Sequence, residues 1–286
     1  MKSAREIREQ YQMANTLAVK SQKKNDKQVL PVCPASQNDL VDDRLVSYQQ
    51  NLGVLEIPVN LIVGVAETSE QSLLYTNEFL PIPEPGGQFA DIWRSICEAY
   101  LDSEETPGEI SCLEYLGRFY VVDGLKRVSV KKYFGASTIK ARVVRIMPVR
   151  TNTKEVQRYY DFLFQYRFTQ LYQLQFTRSA FFEQFQAALG NSPSYRWSDA
   201  DRSRFLMHWN TIEEAFRKSY GESLNITTAD ALVVLLRKYP YEKIIQMESW
   251  VLARIFQASW KDLYSLSFPD VSSVGSMQAV SKLHTA

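Results

Sequence analysis

The chain changes its pattern at Pro148, and that change limits the possible folds more than any other feature. Ahead of it, short β-branched and alternating runs are mixed with helical ones. Val54 to Val65 is rich in β-branched residues and broken once, by Pro58. Phe89, Ile92, Trp93, Ile96 and Tyr100 recur at helical spacing. Ile110–Tyr115 and Phe119–Asp123 read as a hairpin turning at Gly117, and Thr138–Met147 reads as a strand with Arg142 and Arg145 on exposed positions. Beyond Pro148 the pattern is helical throughout. Val156–Phe168 and Ser179–Leu189 come first; Ser198 with Asp201 starts a third helix, and Thr227 with Asp230 starts a fourth that Pro240 stops. Tyr241–Tyr264 supplies one or two more. The expected fold class is α+β: a small mixed α/β domain over residues 51–150, followed by an all-helical domain over 151–266. Residues 1–50 read as an N-terminal helix and a linker, with Ser3 and Glu6 spaced as a capping box, and 267–286 as a loose tail.

Composition excludes several classes of chemistry. The three cysteines, Cys33, Cys97 and Cys112, lack metal-ligand spacing, and their odd number fits no complete disulfide set, which favours a reducing compartment. With only His208 and His284 present, histidine metal sites and a Ser-His-Asp triad are not expected, and no metal ligands are assigned. No apolar run is long enough to span a bilayer and the first residues lack a secretory core, so the expectation is a cytoplasmic protein with no membrane partner.

Within the first domain, the stretch from Phe119 to Tyr133 carries the chemistry. A strand turns at Asp123-Gly124 into a short helix with Lys126 and Arg127 in its first turn. A helix N-terminus beside such cations suits a phosphate or another anion. Gly124 permits close backbone approach and Arg127 can bind bidentately. Asp123 is read as a turn former and helix cap.

Charge is uneven although the net is +1. Nine cations and one acid lie between Arg118 and Arg150, whereas Ser95–Gly117 holds six acids and no base. Two readings follow. Lys131, Lys132, Lys140, Arg142 and Arg145 trace a nucleic-acid backbone, or this basic set pairs with the preceding acids, within one chain or across a homodimer.

Residues 53–147 resemble the ParB-like/sulfiredoxin superfamily. The resemblance is carried by Ile57-Pro58-Val59-Asn60-Leu61-Ile62-Val63-Gly64, by Phe119-Tyr120-Val121-Val122-Asp123-Gly124 with Arg127-Val128-Ser129-Val130, and by Gly135 followed by Ile139-Lys140-Ala141-Arg142-Val143. It implies a nucleotide-binding or phosphate-binding protein, regulatory or associated with nucleic acid, with a nucleotide and a divalent cation as the ligand. Asp123, Gly124, Lys126, Arg127 and Ser129 would then be the phosphate or nucleotide ligands, Arg127 the most direct contact and Ser129 a hydroxyl donor. Leu125 stands where sulfiredoxins have their reactive cysteine, which excludes that chemistry at this motif, and Lys126 stands where the unassigned relatives have histidine. Whether the chain is an enzyme stays open. The alternatives are a metal-dependent phosphotransferase or nuclease using Glu67 or Glu70, and a non-catalytic scaffold with a degenerate pocket.

Overall fold

The computed structural model describes residues 4–24, 29–36, 46–220 and 224–267, and the chain forms two compact units, residues 1–159 and 160–286. The expected α+β class is the one observed. In the first unit, α1 (Ala4–Lys24) is followed by β1 (Val46–Pro58), β2 (Ile62–Val65), α2 (Gln88–Ser103), β3 (Ile110–Tyr115), β4 (Arg118–Asp123), α3 (Leu125–Tyr133) and β5 (Thr138–Pro148). The five strands form one sheet in the order β1-β5-β3-β4-β2. β1 is antiparallel to β5 and β3 is antiparallel to β4, whereas β3–β5 and β2–β4 are parallel.

The β-branched run interrupted by Pro58 is thus two strands, and they occupy opposite edges of the sheet. Pro58 ends β1, and a single 3-10 turn, Val59–Leu61, leads into β2. A flat five-stranded sheet would hold its edges about 19 Å apart, yet the link from Pro58 to Ile62 reaches at most about 14 Å. The sheet must therefore coil until these ends of β1 and β2 approach each other. β3 and β4 meet in a two-residue turn with Leu116 at φ 51° and Gly117 at φ 75°, the positive-φ geometry that follows strand twist.

Strand alternation sorts the side chains. Ile110, Cys112 and Glu114 of β3, Ala141, Val143 and Arg145 of β5, and Phe119 and Val121 of β4 share one face by register, and all are buried. On the other face Tyr115, Tyr120 and Ile146 pack with Cys33, Ala35 and Val46. One expectation is corrected here. Arg142 is exposed but Arg145 is not, because residues three apart in a strand face opposite ways. The N-terminal helix packs onto this unit: Ile7, Tyr11 and Ala14 of α1 join a core with Ala90, Trp93, Cys97 and Val130. Asn15 and Tyr11 also donate to carbonyls of the proline loop, Tyr11 Oη to Pro83 O at 2.8 Å. The segment after α1 continues the β2 edge, with Val65 N donating to Pro31 O at 2.8 Å. Gly64 permits that approach, since a Cβ there would lie 2.0 Å from Pro31 O. Ser3 and residues 268–286, the proposed cap and most of the proposed tail, lie outside the described residues.

The second unit is helical as expected. α4 (Lys154–Thr169) leads into it, followed by α5 (Ser179–Ala188), α6 (Asp199–Tyr220), α7 (Thr228–Leu236), α8 (Tyr241–Ile244), α9 (Ser249–Ala258) and α10 (Trp260–Ser267). The Tyr241–Tyr264 stretch divides into three helices rather than one or two. Thr227 and Asp230 form the capping box on α7, and Ser198 and Asp201 bond reciprocally ahead of α6. α7 is buried along seven consecutive residues from Ala229 to Leu235, as a helix apolar on most sides must be. Asp230 is the polar exception; it accepts the Thr177 amide at 3.0 Å, while burial pushes its carboxyl up.

Candidate functional site

The strand-turn-helix motif forms where the sequence places it. β4 ends at Asp123, Gly124 takes φ 103° and ψ 24°, and α3 begins at Leu125. Only glycine fits this junction, for two reasons. The left-handed φ disfavours any side chain. A Cβ would also lie 2.5 Å from Ile110 Cγ2 and 2.8 Å from Arg127 Nη1. The amides of Arg127 and Val128 both donate to Gly124 O, at 2.9 and 3.1 Å. Those of Leu125 and Lys126 precede the helical ladder, and the N-cap supplies no side-chain acceptor for them.

The four flanking side chains differ in their surroundings. Asp123 is exposed and its Oδ2 lies 3.9 Å from Arg127 Nη1. Arg127 folds back over Gly124 and donates to the Glu109 carbonyl at 2.6 Å, keeping 25% of its side chain in solvent. It therefore braces the turn as well as supplying charge. Lys126 sits over the Phe89 ring at 4.7 Å, and burial lowers its pKa while Asp123 raises it. Ser129 is fully buried one turn later, accepting the Trp93 Nε1–H at 3.0 Å. Asp123, Gly124, Lys126 and Arg127 thus meet at one helix end, while Ser129 belongs to the packing between α2 and α3.

The parallel pairing of β2 with β4 brings a second group to the same end of the sheet. Ala66 N donates to Val121 O, so the exposed Glu67–Glu70 loop leaves β2 at the end where β4 meets α3. Among the described residues no three His, Cys, Asp or Glu side chains group in a way that would hold a metal ion.

The wider basic stretch is largely occupied by its own chain. Arg142 Nη2 pairs with Glu109 Oε1 at 2.5 Å, and Arg145 pairs with buried Glu114. Lys131 donates to the Glu104 carbonyl at 3.0 Å, a cation at the C-terminal end of α2, and lies 4.8 Å from the Tyr100 ring centre. Lys132 lies over the Phe79 ring at 5.0 Å, and burial brings its pKa down to about 8. Lys140 is exposed on β5. Of the two readings of the charge pattern, pairing with the preceding acids describes Arg142 and Arg145.

Sequence reasoning missed the cluster around Glu114. Its Oε1 accepts the Gly117 amide at 2.8 Å, and its Oε2 accepts the Tyr159 hydroxyl at 2.9 Å and Arg145 Nε. Burial pushes the Glu114 carboxyl up against the opposing pull of Arg145. Glu114 and Arg145 are direct cross-strand neighbours in the parallel β3–β5 register. The opposite charges of the two stretches were visible in the sequence, but the strand order that joins them was not.

No family model matches the chain, and no curated protein or solved structure matches it.

Proposed function

We propose that the first unit is a ParB-like domain that binds the phosphate group of a nucleotide at the start of α3 and serves a regulatory role. The observation that carries this reading is the Gly124 junction, which leaves the Leu125 and Lys126 amides uncapped beside two cations. Lys126 supplies charge over Phe89, and Arg127 keeps part of its guanidinium in solvent. The element order β2, α2, β3–β4 hairpin, α3, β5 is the order on which the family resemblance rests. Asp123 and Glu67 or Glu70, at the same end of the sheet, would face the cation that accompanies a nucleotide. A free nucleotide fits better than a nucleic-acid backbone, because Arg142, Arg145 and Lys131 already have partners within the chain.

Calorimetric titration with CTP, ATP and GTP, with and without magnesium, tests this. Binding of at least one nucleotide is expected, weakened roughly tenfold in Lys126→Ala, the cost of about one charge-assisted hydrogen bond. Absence of binding, or unchanged affinity in that variant, overturns the reading.

A further inference from the structure

α9 carries an outer face that the core does not explain. Its inner side chains Leu252 and Phe256 are buried, whereas Trp250 is 58% exposed. The Arg254 guanidinium lies 5.3 Å from the centre of the Trp250 ring, one turn along the helix. Trp250 Nε1 in turn donates to Glu248 Oε2 at 2.5 Å, which holds the indole in place. Two open grooves flank this Trp-Arg ridge. One, of about 440 Å³, is lined by Tyr239, Val251, Ile255 and Ala258 and rimmed by Lys238. The other, of about 490 Å³, runs past Ala253 and Gln257 to Lys218.

The charges here select a ligand. Lys218 and Lys238 have carboxylate partners, Glu214 at 2.6 Å and Asp262 at 2.6 Å. Arg254 forms no ion pair among the described residues and stacks on the indole face. A guanidinium stacked in this way is already oriented, and its N–H fork matches a carboxylate. Tryptophan and arginine are also among the residue types enriched at the energetic centres of protein interfaces. A polyanionic backbone fits worse, because Glu214, Glu248 and Asp262 would face its successive phosphates. A single carboxylate between apolar side chains meets Arg254 without lying against Glu214 or Asp262, neither of which lines a groove, while Glu248 is held by the Trp250 N–H.

We propose that the Trp250–Arg254 ridge docks an acidic peptide segment of a partner protein. One carboxylate of that segment takes the Arg254 fork, and the apolar side chains on either side of it enter the two grooves. This surface stands apart from the α3 proposal and does not depend on it.

Selection of random displayed peptides on the full-length chain, followed by fluorescence anisotropy with the enriched peptide, tests the assignment. The enriched peptides are expected to carry an acidic residue between large apolar ones. Binding should fall at least tenfold in both Trp250→Ala and Arg254→Glu, and the same peptide with lysine in place of its acid should regain binding to Arg254→Glu. Both side chains are on the surface, so unchanged circular dichroism and melting temperature separate lost docking from lost folding; Arg254→Lys, which keeps the charge without the fork, should bind with intermediate strength. The proposal is overturned if no acidic peptide is enriched, or if the charge swap fails to restore binding. It is equally overturned if an oligonucleotide, or a second copy of the chain, takes the surface in a Trp250-dependent way.

Discussion

Arg127 and Arg145 come from one basic stretch and end in opposite surroundings. Arg127 stands at the start of α3, tied to the Glu109 carbonyl and partly in water, near a carboxylate at 3.9 Å. Arg145 lies on the buried face of β5, against Glu114, whose second oxygen holds the Gly117 turn. The two regions have similar charges and different uses. At α3 the Leu125 and Lys126 amides have no side-chain cap and Arg127 keeps part of its guanidinium in solvent, where the proposed ligand would complete them. Around Glu114 both carboxylate oxygens are satisfied from within the chain, so charge there contributes to the architecture of the hairpin.

That contrast can be broken most forcefully at Glu114. Removing one partner of a buried pair leaves an uncompensated charge, so Arg145→Met and Glu114→Leu should each destabilise the chain by about 3–5 kcal/mol. The double variant should recover much of the loss, with Tyr159 and the Gly117 amide still short of an acceptor. Urea unfolding of the three variants measures this, and additive losses would show that the pair is not coupled.

Gly124→Ala is expected to cost about 1–3 kcal/mol, from the positive φ and from the contact with Ile110. It should also abolish nucleotide binding by moving the first turn of α3. Ser129→Ala should cost about 1–3 kcal/mol, because it leaves the buried Trp93 N–H without an acceptor, and should leave nucleotide affinity unchanged, because Ser129 belongs to the core. Thermal melts alongside calorimetry separate these two effects.

Lys132 gives the most pH-specific effect. Burial lowers its pKa to about 8, against an unfolded value near 10.4. Between those values the unfolded chain holds more protons, so this group makes stability rise with pH through that window. Lys132→Met should therefore be slightly more stable than the wild type at pH 7, and the advantage should shrink as pH rises above 8. Melting curves from pH 7 to 10 would show it; a pH-independent difference would mean that contact with Phe79 alone sets the effect.

These sites also show what the sequence could disclose. The α3 junction was legible because its determinants are local: a β-branched run, Asp-Gly at the turn, and cations immediately after it. The capping pairs Ser198 with Asp201 and Thr227 with Asp230 were legible for the same reason. Arg145 was misplaced on an exposed position, although its odd spacing from Arg142 was enough to put the two on opposite faces. The Glu114 cluster was hidden because it depends on β3 and β5 being neighbours, a long-range pairing that no local pattern encodes. The same holds for β1 and β2, one β-branched run in sequence and two opposite sheet edges in space. Ser129 had the right residue type near the motif, but helix phase turned its hydroxyl toward Trp93.

The central claim is that α3 completes its first turn with a phosphate group. The most direct measurement is an amide-resolved NMR titration of the deuterated, full-length chain with a nucleoside triphosphate and magnesium. The account predicts that the largest, saturable shifts fall on the amides of Gly124, Leu125, Lys126 and Arg127, while those around Glu114 and Gly117 stay fixed. Saturable shifts centred anywhere else, or none at millimolar nucleotide, would contradict it.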